Sequence, residues 1–193
     1  MRILFYGDSN TYGYDPRGPI PGRYKEEKTW PYLVGTKIKD GEVFAEGLNG
    51  REIPSEEFDF EVLFNAVKRY SPIDYIGIML GSNDYLNMFT PSVDEVTNKM
   101  EKALIRLERE FPNLKILLIA PPPIKTANVC GMRKYDTEDG SLSRAYKKLA
   151  EKKNILFFDA AAEPLSLAFD GVHLAEEGHG QLAKRLADYF NTF

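Results

Sequence analysis

Short apolar runs alternate along the chain with longer segments in which apolar residues recur at helical spacing. The runs that predict strands are residues 3–5, 43–46, 75–80, 115–120 and 155–158. Strands that alternate with helices in this way are typical of a parallel sheet with helices on both faces. We therefore expect an α/β fold, a three-layer α/β/α sandwich built on a five-stranded parallel sheet.

The helix signals lie between these strands. Ser92 and Glu95, three residues apart, predict a capping box at the start of a strongly periodic helix. Ser55 is expected to cap another helix, and Trp30 to begin the first helix of the chain. Further helices are predicted from about 141 to 153 and at the C-terminal end of the chain.

Two polar loops interrupt the alternation. Residues 15–28 are rich in glycine and proline, and residues 121–140 begin with three prolines that cannot continue a sheet ladder. The first loop is long for a compact domain, so we expect it to be either a lid over a site or a contact between subunits.

The composition favours one globular domain. The chain has 193 residues, of which 43% are hydrophobic and 28% charged, so it can bury a substantial core without metals or crosslinks. We expect a single domain over residues 1–193. No stretch approaches the roughly 20 apolar residues that a membrane span requires, and the first residues do not resemble a cleavable leader. These features predict a cytoplasmic protein that binds no membrane.

Charge and cysteine content exclude further classes. A formal net charge of -4 argues against general affinity for nucleic acid, which depends on clustered lysine and arginine. Cys130 is the only cysteine, so neither an intrachain disulfide nor a thiolate metal cage is available. The two histidines are too few for a histidine-rich metal site.

Four polar segments follow predicted strands or precede the last helix. They are residues 8–9, 49–50, 82–84 and 170–173. The carboxyl ends of parallel strands share one edge of a sheet, so segments far apart in sequence can meet there. This convergence predicts a functional site.

The residue types in these segments suit acyl transfer. A serine hydroxyl becomes a good nucleophile when a base removes its proton, and histidine titrates near neutrality. A carboxylate usually holds the histidine in the required tautomer. We expect Ser9 to attack, His173 to transfer the proton, and Asp170, three residues earlier, to orient the imidazole.

Attack on a carbonyl places negative charge on its oxygen, and this charge needs preorganised donors. Asn83 offers a side-chain amide, while Gly50 and Ser9 offer backbone N–H groups. These three groups are the expected oxyanion hole.

The ordered set of segments resembles the SGNH, or GDSL-like, serine esterases and lipases. The serine, glycine, asparagine and histidine for which that family is named correspond here to Ser9, Gly50, Asn83 and His173. The resemblance implies a flavodoxin-like sheet, no metal or other cofactor, and the Ser-His-Asp triad described above.

Within that family the chain looks most like the arylesterase and acyltransferase branch. This likeness depends on residues 46–48, the three prolines at 121–123 and the compact length, and it implies a homo-oligomer. One departure is Asn10, which stands where a leucine usually follows the serine. We expect Asn10 to shape the acyl site, and Tyr14 and Val172 to line the substrate pocket.

Each residue also has a plain structural interpretation. Ser9 could cap the following helix, Gly50 could be a simple turn glycine, and Asn83 could bond its own turn. We expect Asp84 to bond that turn while Asn83 faces the site. Asp8 is expected to be a structural hydrogen bonder and His179 a surface or packing residue.

The preferred function is hydrolysis of small acetyl-type or aryl esters through an acyl-enzyme on Ser9, with acyl transfer to alcohols where the pocket excludes water. A carbohydrate O-deacetylase is the alternative of the same family. A magnesium-dependent phosphotransferase using Asp8 is weaker, because Asn10 stands where its second aspartate would be. Neither dinucleotide nor P-loop motifs occur, and a noncatalytic ligand-binding protein is the remaining option.

Overall fold

The computed structural model describes residues 1–18, 22–126, 135–137 and 139–193. Its strands are β1 (Arg2–Gly7), β2 (Tyr14–Asp15), β3 (Gly22–Arg23), β4 (Glu42–Gly47), β5 (Tyr75–Met79), β6 (Lys115–Ala120) and β7 (Leu156–Asp159). Its helices are α1 (Ser9–Tyr12), α2 (Trp30–Gly35), α3 (Glu57–Tyr70), α4 (Ser82–Asn87), α5 (Val93–Glu110), α6 (Ser141–Lys153) and α7 (Glu176–Phe190).

Five of the strands form one parallel sheet in the order β4-β1-β5-β6-β7. The prediction of a five-stranded parallel α/β fold is therefore confirmed, and the strand order is that of flavodoxin-like proteins. Gly7 at the end of β1 lies opposite Gly47 of β4 and Met79 of β5. The carboxyl ends of these three strands consequently form one edge, from which the segments of the site emerge.

Helices cover both faces of the sheet because side chains alternate along each strand. Leu4 and Tyr6 of β1 pack into a core with α3, α5 and α6, whereas Ile3 and Phe5 pack with α2 and α7. Full burial of one such side chain contributes about 1.5–3 kcal/mol. Two apolar layers of this kind hold the sheet rigid beneath the site.

The helix starts differ from prediction in two places. The four-residue helix α1 precedes the helix that begins at Trp30, so Trp30 does not begin the first helix. The N-cap of α3 is Glu56 and not Ser55, because the Asp59 carboxylate accepts the backbone N–H of both residues, at 3.2 Å from Ser55 and 3.0 Å from Glu56.

Other helix predictions are confirmed. The Ser92 hydroxyl accepts the N–H of Glu95 at 3.3 Å and caps α5. The helix expected from 141 to 153 has those bounds, and the final helix buries the apolar face that contains Leu182, Leu186 and Phe190.

Gly7 is needed for close packing. A Cβ atom at this position would lie 2.8 Å from the Cβ of Thr11 and 2.9 Å from the carbonyl oxygen of Met79. Glycine therefore lets α1 sit directly on the end of β1. At the other end of α1, Gly13 takes a left-handed conformation with φ 84° that favours glycine.

Parts of the two predicted loops lie within the described residues. The first contains the antiparallel pair β2–β3 and a short 3-10 helix, Glu26–Lys28. Residues 19–21, 127–134 and 138 lie outside the described residues, and the predictions for Cys130 fall there. No helix in the described part of the chain is long and apolar enough to cross a lipid bilayer.

Candidate active site

The nucleophile candidate Ser9 is the first residue of α1. Asp8 caps this helix, since its carboxylate accepts the backbone N–H of Asn10 at 2.9 Å. The sharp change from strand to helix places the Ser9 hydroxyl at the edge of the sheet, where the side chain is 7% exposed. Its Oγ atom lies 2.9 Å from Nε2 of His173.

Asp170 and His173 lie in the loop that precedes α7. Nδ1 of the histidine lies 2.6 Å from Oδ2 of Asp170, so this nitrogen carries the ring proton and donates a hydrogen bond to the carboxylate. The other carboxylate oxygen accepts the backbone N–H of Val172 and of His173, each at 3.0 Å. The unprotonated Nε2 therefore faces the serine hydroxyl.

The charge state of Asp170 follows from these bonds. Partial burial raises its pKa, but the hydrogen bonds from the His173 ring and from two backbone N–H groups outweigh burial and leave the pKa below its ordinary value. The carboxylate is ionised near neutral pH and can stabilise a protonated imidazole.

Tyr14 lies against this histidine. The two ring centroids are 4.4 Å apart, and the planes meet at 45°. The structure thus brings Tyr14, which was predicted to line the pocket, into contact with the His173 ring.

The two other predicted oxyanion donors lie on neighbouring segments. Gly50 is exposed in the turn after β4, with φ 74°, and Asn83 is in α4 after β5. Nδ2 of Asn83 donates to the carbonyl oxygen of Arg51 at 2.9 Å. An amide nitrogen carries two N–H donors, so this bond uses one of them.

Arg51 was missed in the sequence analysis. Its guanidinium donates to the carbonyl oxygen of Gly7 at 2.8 Å, also bonds that of Glu46, and lies 4.0 Å from the centre of the Tyr6 ring. The Gly50 turn is thereby fastened to the end of β1. The available signal was an arginine directly after a glycine turn, and it does not reveal which carbonyl groups the arginine reaches.

Asp84 is also used differently from the prediction. Its buried carboxylate accepts the N–H of Ile53 at 3.0 Å and pairs with Lys99 at 2.6 Å. It therefore joins α4 to the segment after Gly50 and to α5, whereas a bond within its own turn was expected.

Asn10 is 3% exposed and faces the histidine loop. Its Oδ1 accepts the N–H of Leu174 at 2.8 Å, and its Nδ2 donates to the carbonyl oxygen of Val172 at 3.2 Å. The amide oxygen and one N–H of the amide nitrogen are engaged with backbone, and the contact between Asn10 and substrate stays a prediction. Val172 is half-buried, and its side chain packs against the core on the α3, α5 and α6 face.

Two further titratable groups, Asp8 and His179, are buried near α1. Burial raises the pKa of the Asp8 carboxyl to about 6, against the opposing influence of the Asn10 N–H and of His173. His179 of α7 is fully buried as a packing residue, its Nδ1 accepts the N–H of Trp30 at 3.3 Å, and burial lowers its pKa to about 4. Among the described residues, no group of three or more His, Cys, Asp or Glu side chains is placed to hold a metal ion.

Solved structures of other proteins have the same fold and match this chain over nearly its whole length. A carbohydrate acetylesterase family member from Sinorhizobium meliloti is 28% identical with a TM-score of 0.81, and the match covers 100% of this chain and 99% of that one. The native aryl esterase of M. smegmatis is 25% identical with a TM-score of 0.80, and the match covers 99% of this chain and 98% of that one. A comparison with curated protein sequences gives no significant match.

The model of the GDSL-like lipase/acylhydrolase family matches residues 5–181. This range includes the serine turn, the Gly50 turn, the start of α4 and the histidine loop. With most of the chain matched and the expected sheet present, the protein belongs to the GDSL-like lipase/acylhydrolase family.

Proposed function

We propose that this protein is a serine esterase that hydrolyses small carboxylic esters through an acyl-enzyme on Ser9. The observation that carries the proposal is the continuous line of hydrogen bonds from Ser9 Oγ to His173 Nε2, at 2.9 Å, and from His173 Nδ1 to Asp170, at 2.6 Å. Family membership and the esterases among the solved structures support it.

In the first half-reaction, Nε2 of His173 accepts the proton of the Ser9 hydroxyl while Oγ bonds the ester carbonyl carbon. The tetrahedral intermediate then breaks its bond to the alkoxy oxygen, which leaves with the proton from His173. In the second half-reaction, water attacks the acyl carbonyl carbon and transfers a proton to the same nitrogen. The tetrahedral intermediate then breaks its bond to Oγ of Ser9, which takes this proton from His173 as the carboxylic acid leaves. Asp170 stays ionised and stabilises the imidazolium in both steps.

The negative charge on the carbonyl oxygen is assigned to three donors: the backbone N–H groups of Ser9 and Gly50, and the second N–H of Asn83. Removal of one such donor typically lowers kcat by about 10²- to 10³-fold. The Arg51 guanidinium donates to the carbonyl oxygens of Gly7 and Glu46, and the Arg51 carbonyl oxygen accepts from Asn83, so this residue positions both the Gly50 turn and the Asn83 amide.

The surface beside Gly50 supports the first candidate substrate class, aryl or short alkyl esters. A groove of about 350 Å³ opens there, and its lining includes the exposed apolar side chains of Leu48, Phe58 and Val62. Contiguous exposed apolar surface often marks a binding site. The groove supports an aryl or short alkyl group on the ester, with acyl transfer to an alcohol that occupies the same groove.

Removal of acetyl groups from carbohydrate is the second candidate. It is favoured by the likeness to the carbohydrate acetylesterase family member from Sinorhizobium meliloti, which covers the full length of both chains. Sugar recognition needs hydrogen-bonding side chains, and the same groove is also lined by Arg51, Glu52 and Asp59. The cytoplasmic location and the homo-oligomer stay predictions under both functions.

A panel of p-nitrophenyl esters of increasing acyl length, alongside fully acetylated monosaccharides, tests the proposal and separates the two classes. Wild-type enzyme should release p-nitrophenol in a burst followed by steady turnover, and the Ser9→Ala variant should show neither. Faster acetate release from the sugars than from the aryl esters would favour the carbohydrate class. Turnover that persists in Ser9→Ala, or that excess chelator abolishes, would contradict the esterase and favour the metal-dependent alternative.

A further inference from the structure

Two neighbouring polar side chains of α1, those of Ser9 and Asn10, both bond the loop that contains His173. The Ser9 hydroxyl bonds the ring of His173, whereas the Asn10 amide bonds the backbone on both sides of that histidine. Leu174 donates its N–H to the amide oxygen at 2.8 Å, and Val172 accepts from the amide nitrogen at 3.2 Å. The histidine is thus bracketed by two bonds from the residue next to the nucleophile.

The loop that contains His173 also makes hydrogen bonds that do not involve Asn10. Asp170 accepts N–H groups of its own loop, and the N–H of Ala168 donates to the carbonyl oxygen of His173 at 2.7 Å. Gly171 is bonded by the N–H of Lys125 at 2.8 Å, which joins the loop to the segment after β6. The bonds from Ala168 and to Asp170 lie within the loop, and the Lys125 bond joins the loop to the segment after β6. The Asn10 amide joins the loop to α1, the helix that carries Ser9.

Asn10 is itself held from a third direction. Its backbone carbonyl oxygen accepts the indole N–H of Trp30 at 3.0 Å, and the Trp30 backbone N–H donates to His179 at 3.3 Å. Both Trp30 and His179 are fully buried. A chain of buried hydrogen bonds therefore runs from α7 through α2 and α1 to the histidine loop.

We propose that Asn10 is a positioning residue for His173, because its buried amide fixes the backbone on both sides of the histidine and so sets the distance from the ring to Ser9. The proposal rests on the proposed function, since it concerns the same serine and histidine. Its physical basis is that a misplacement of about 1 Å between reacting groups can lower a rate by about 10²-fold. An apolar residue at this position would also leave the Leu174 N–H and the Val172 carbonyl without these partners.

The first test replaces the amide by a side chain of similar size. In Asn10→Leu, kcat for p-nitrophenyl acetate should fall about 10- to 100-fold, while KM changes by less than about 2-fold because both backbone partners of the amide belong to the histidine loop. The matched control is Thr11→Val, which alters the next residue of α1, a buried threonine whose hydroxyl has no hydrogen-bond partner. This control should keep kcat within about 2-fold of wild type.

A spectroscopic readout separates positioning from loss of folded protein. The proton on Nδ1 of His173, held against Asp170 at 2.6 Å, should give a strongly downfield one-dimensional NMR signal in wild type and in Thr11→Val. The signal should broaden or disappear in Asn10→Leu while circular dichroism stays native. If Asn10→Leu does not fold, Asn10→Ser takes its place, because serine is too short to bond both backbone groups, and its kcat should fall at least about 5-fold.

A folded Asn10→Leu or Asn10→Ser variant with wild-type kcat and an unchanged downfield signal would overturn the positioning role. An equal loss of kcat in Thr11→Val would overturn it as well, because the effect would then belong to the whole turn. If wild type hydrolyses no ester, or if Ser9→Ala stays active, the proposed function fails instead. The NMR comparison needs no turnover and still tests in that case whether Asn10 holds the loop that carries His173.

Discussion

The two halves of the site are held in different ways. In the serine and histidine half, Ser9 and Asn10 are buried, and hydrogen bonds extend inward to fully buried Trp30. In the half that carries the proposed oxyanion donors, Gly50 is exposed in a left-handed turn, and the Arg51 side chain bonds this turn to the end of β1.

This difference separates two tasks. Hydrogen bonds in a buried, low-dielectric network are strong and costly to leave unmade, so the first half maintains one geometry for proton transfer. The exposed half borders the apolar groove and can receive different ester groups. Changes in the first half should therefore affect kcat for every substrate, whereas changes beside Gly50 should alter the order of preference among substrates.

The largest expected effect is in the buried half. His173→Ala removes the proposed base, and kcat should fall by about 10⁴-fold or more for every ester tested. His179→Gln replaces the other histidine and should keep kcat within about 5-fold at pH 8, since His179 bonds the backbone of Trp30 and lies outside the triad. Stopped-flow and steady-state assays measure both variants, and equal losses in the two would contradict the assigned base.

The pH dependence of the free energy of unfolding tests whether His179 is buried away from water. The pKa of His179 is lowered from 6.5 to about 4 in the folded protein, so the unfolded chain binds the proton more readily between these pH values. The folded state therefore loses up to about 3 kcal/mol from this group as the pH falls from above 6.5 to below 4.

His179→Gln isolates this contribution. Asp8 acts in the opposite sense, because its raised pKa favours the folded state as it becomes protonated below about pH 6. Both proteins contain Asp8, so its contribution cancels in the difference between their free energies of unfolding. Urea titrations should show that this difference changes by about 3 kcal/mol between pH 7 and pH 4, because wild type loses stability that His179→Gln does not lose. A difference independent of pH would mean that His179 is hydrated.

The next effect is in the exposed half. Asn83→Ala removes a proposed oxyanion donor, so kcat should fall by about 10²-fold with a small change in KM. Asn87→Ala is a matched control from the same helix, because its exposed amide bonds Glu52 at 2.7 Å. Similar kinetics for the two variants would remove Asn83 from the oxyanion hole.

The smallest effect is expected at Val172, which lies between Asp170 and His173 of the proposed triad. Shortening this side chain should enlarge the acyl pocket, so Val172→Ala should move the preferred p-nitrophenyl ester toward longer acyl chains by a change in kcat/KM ratio of about 2- to 10-fold. The measurement is the ratio of butyrate to acetate hydrolysis. An unchanged ratio would place Val172 outside the pocket wall.

The sequence predicts the sheet well because its signals are local and repeated. Residues 115–120 form a strand with the predicted bounds, and the apolar spacing after Ser92 specifies α5. Helix α1 was missed because four residues are too few to show a helical period. The α3 cap was misplaced by one residue because the Asp59 carboxylate serves both Ser55 and Glu56.

For the site, the sequence predicts which residues come together, but it does not predict the orientation and hydrogen-bond partners of every side chain. The structure brings Ser9, Asp170 and His173 together, as expected from polar segments at the ends of parallel strands. The side on which Asn10 lies depends on the packing of α1 over Gly7, and the targets of Arg51 are carbonyl groups. Neither property is encoded in a local pattern.

Mass spectrometry of the intact enzyme is the most direct test of the central claim that Ser9 and His173 act as one nucleophilic pair. The wild-type protein is treated with a p-nitrophenyl phosphonate, and the labelled peptide is mapped. We predict one adduct on Ser9, its formation at least about 10³-fold slower in His173→Ala, and none on that peptide in Ser9→Ala. An adduct on a different residue, or equally fast labelling without His173, would contradict the account.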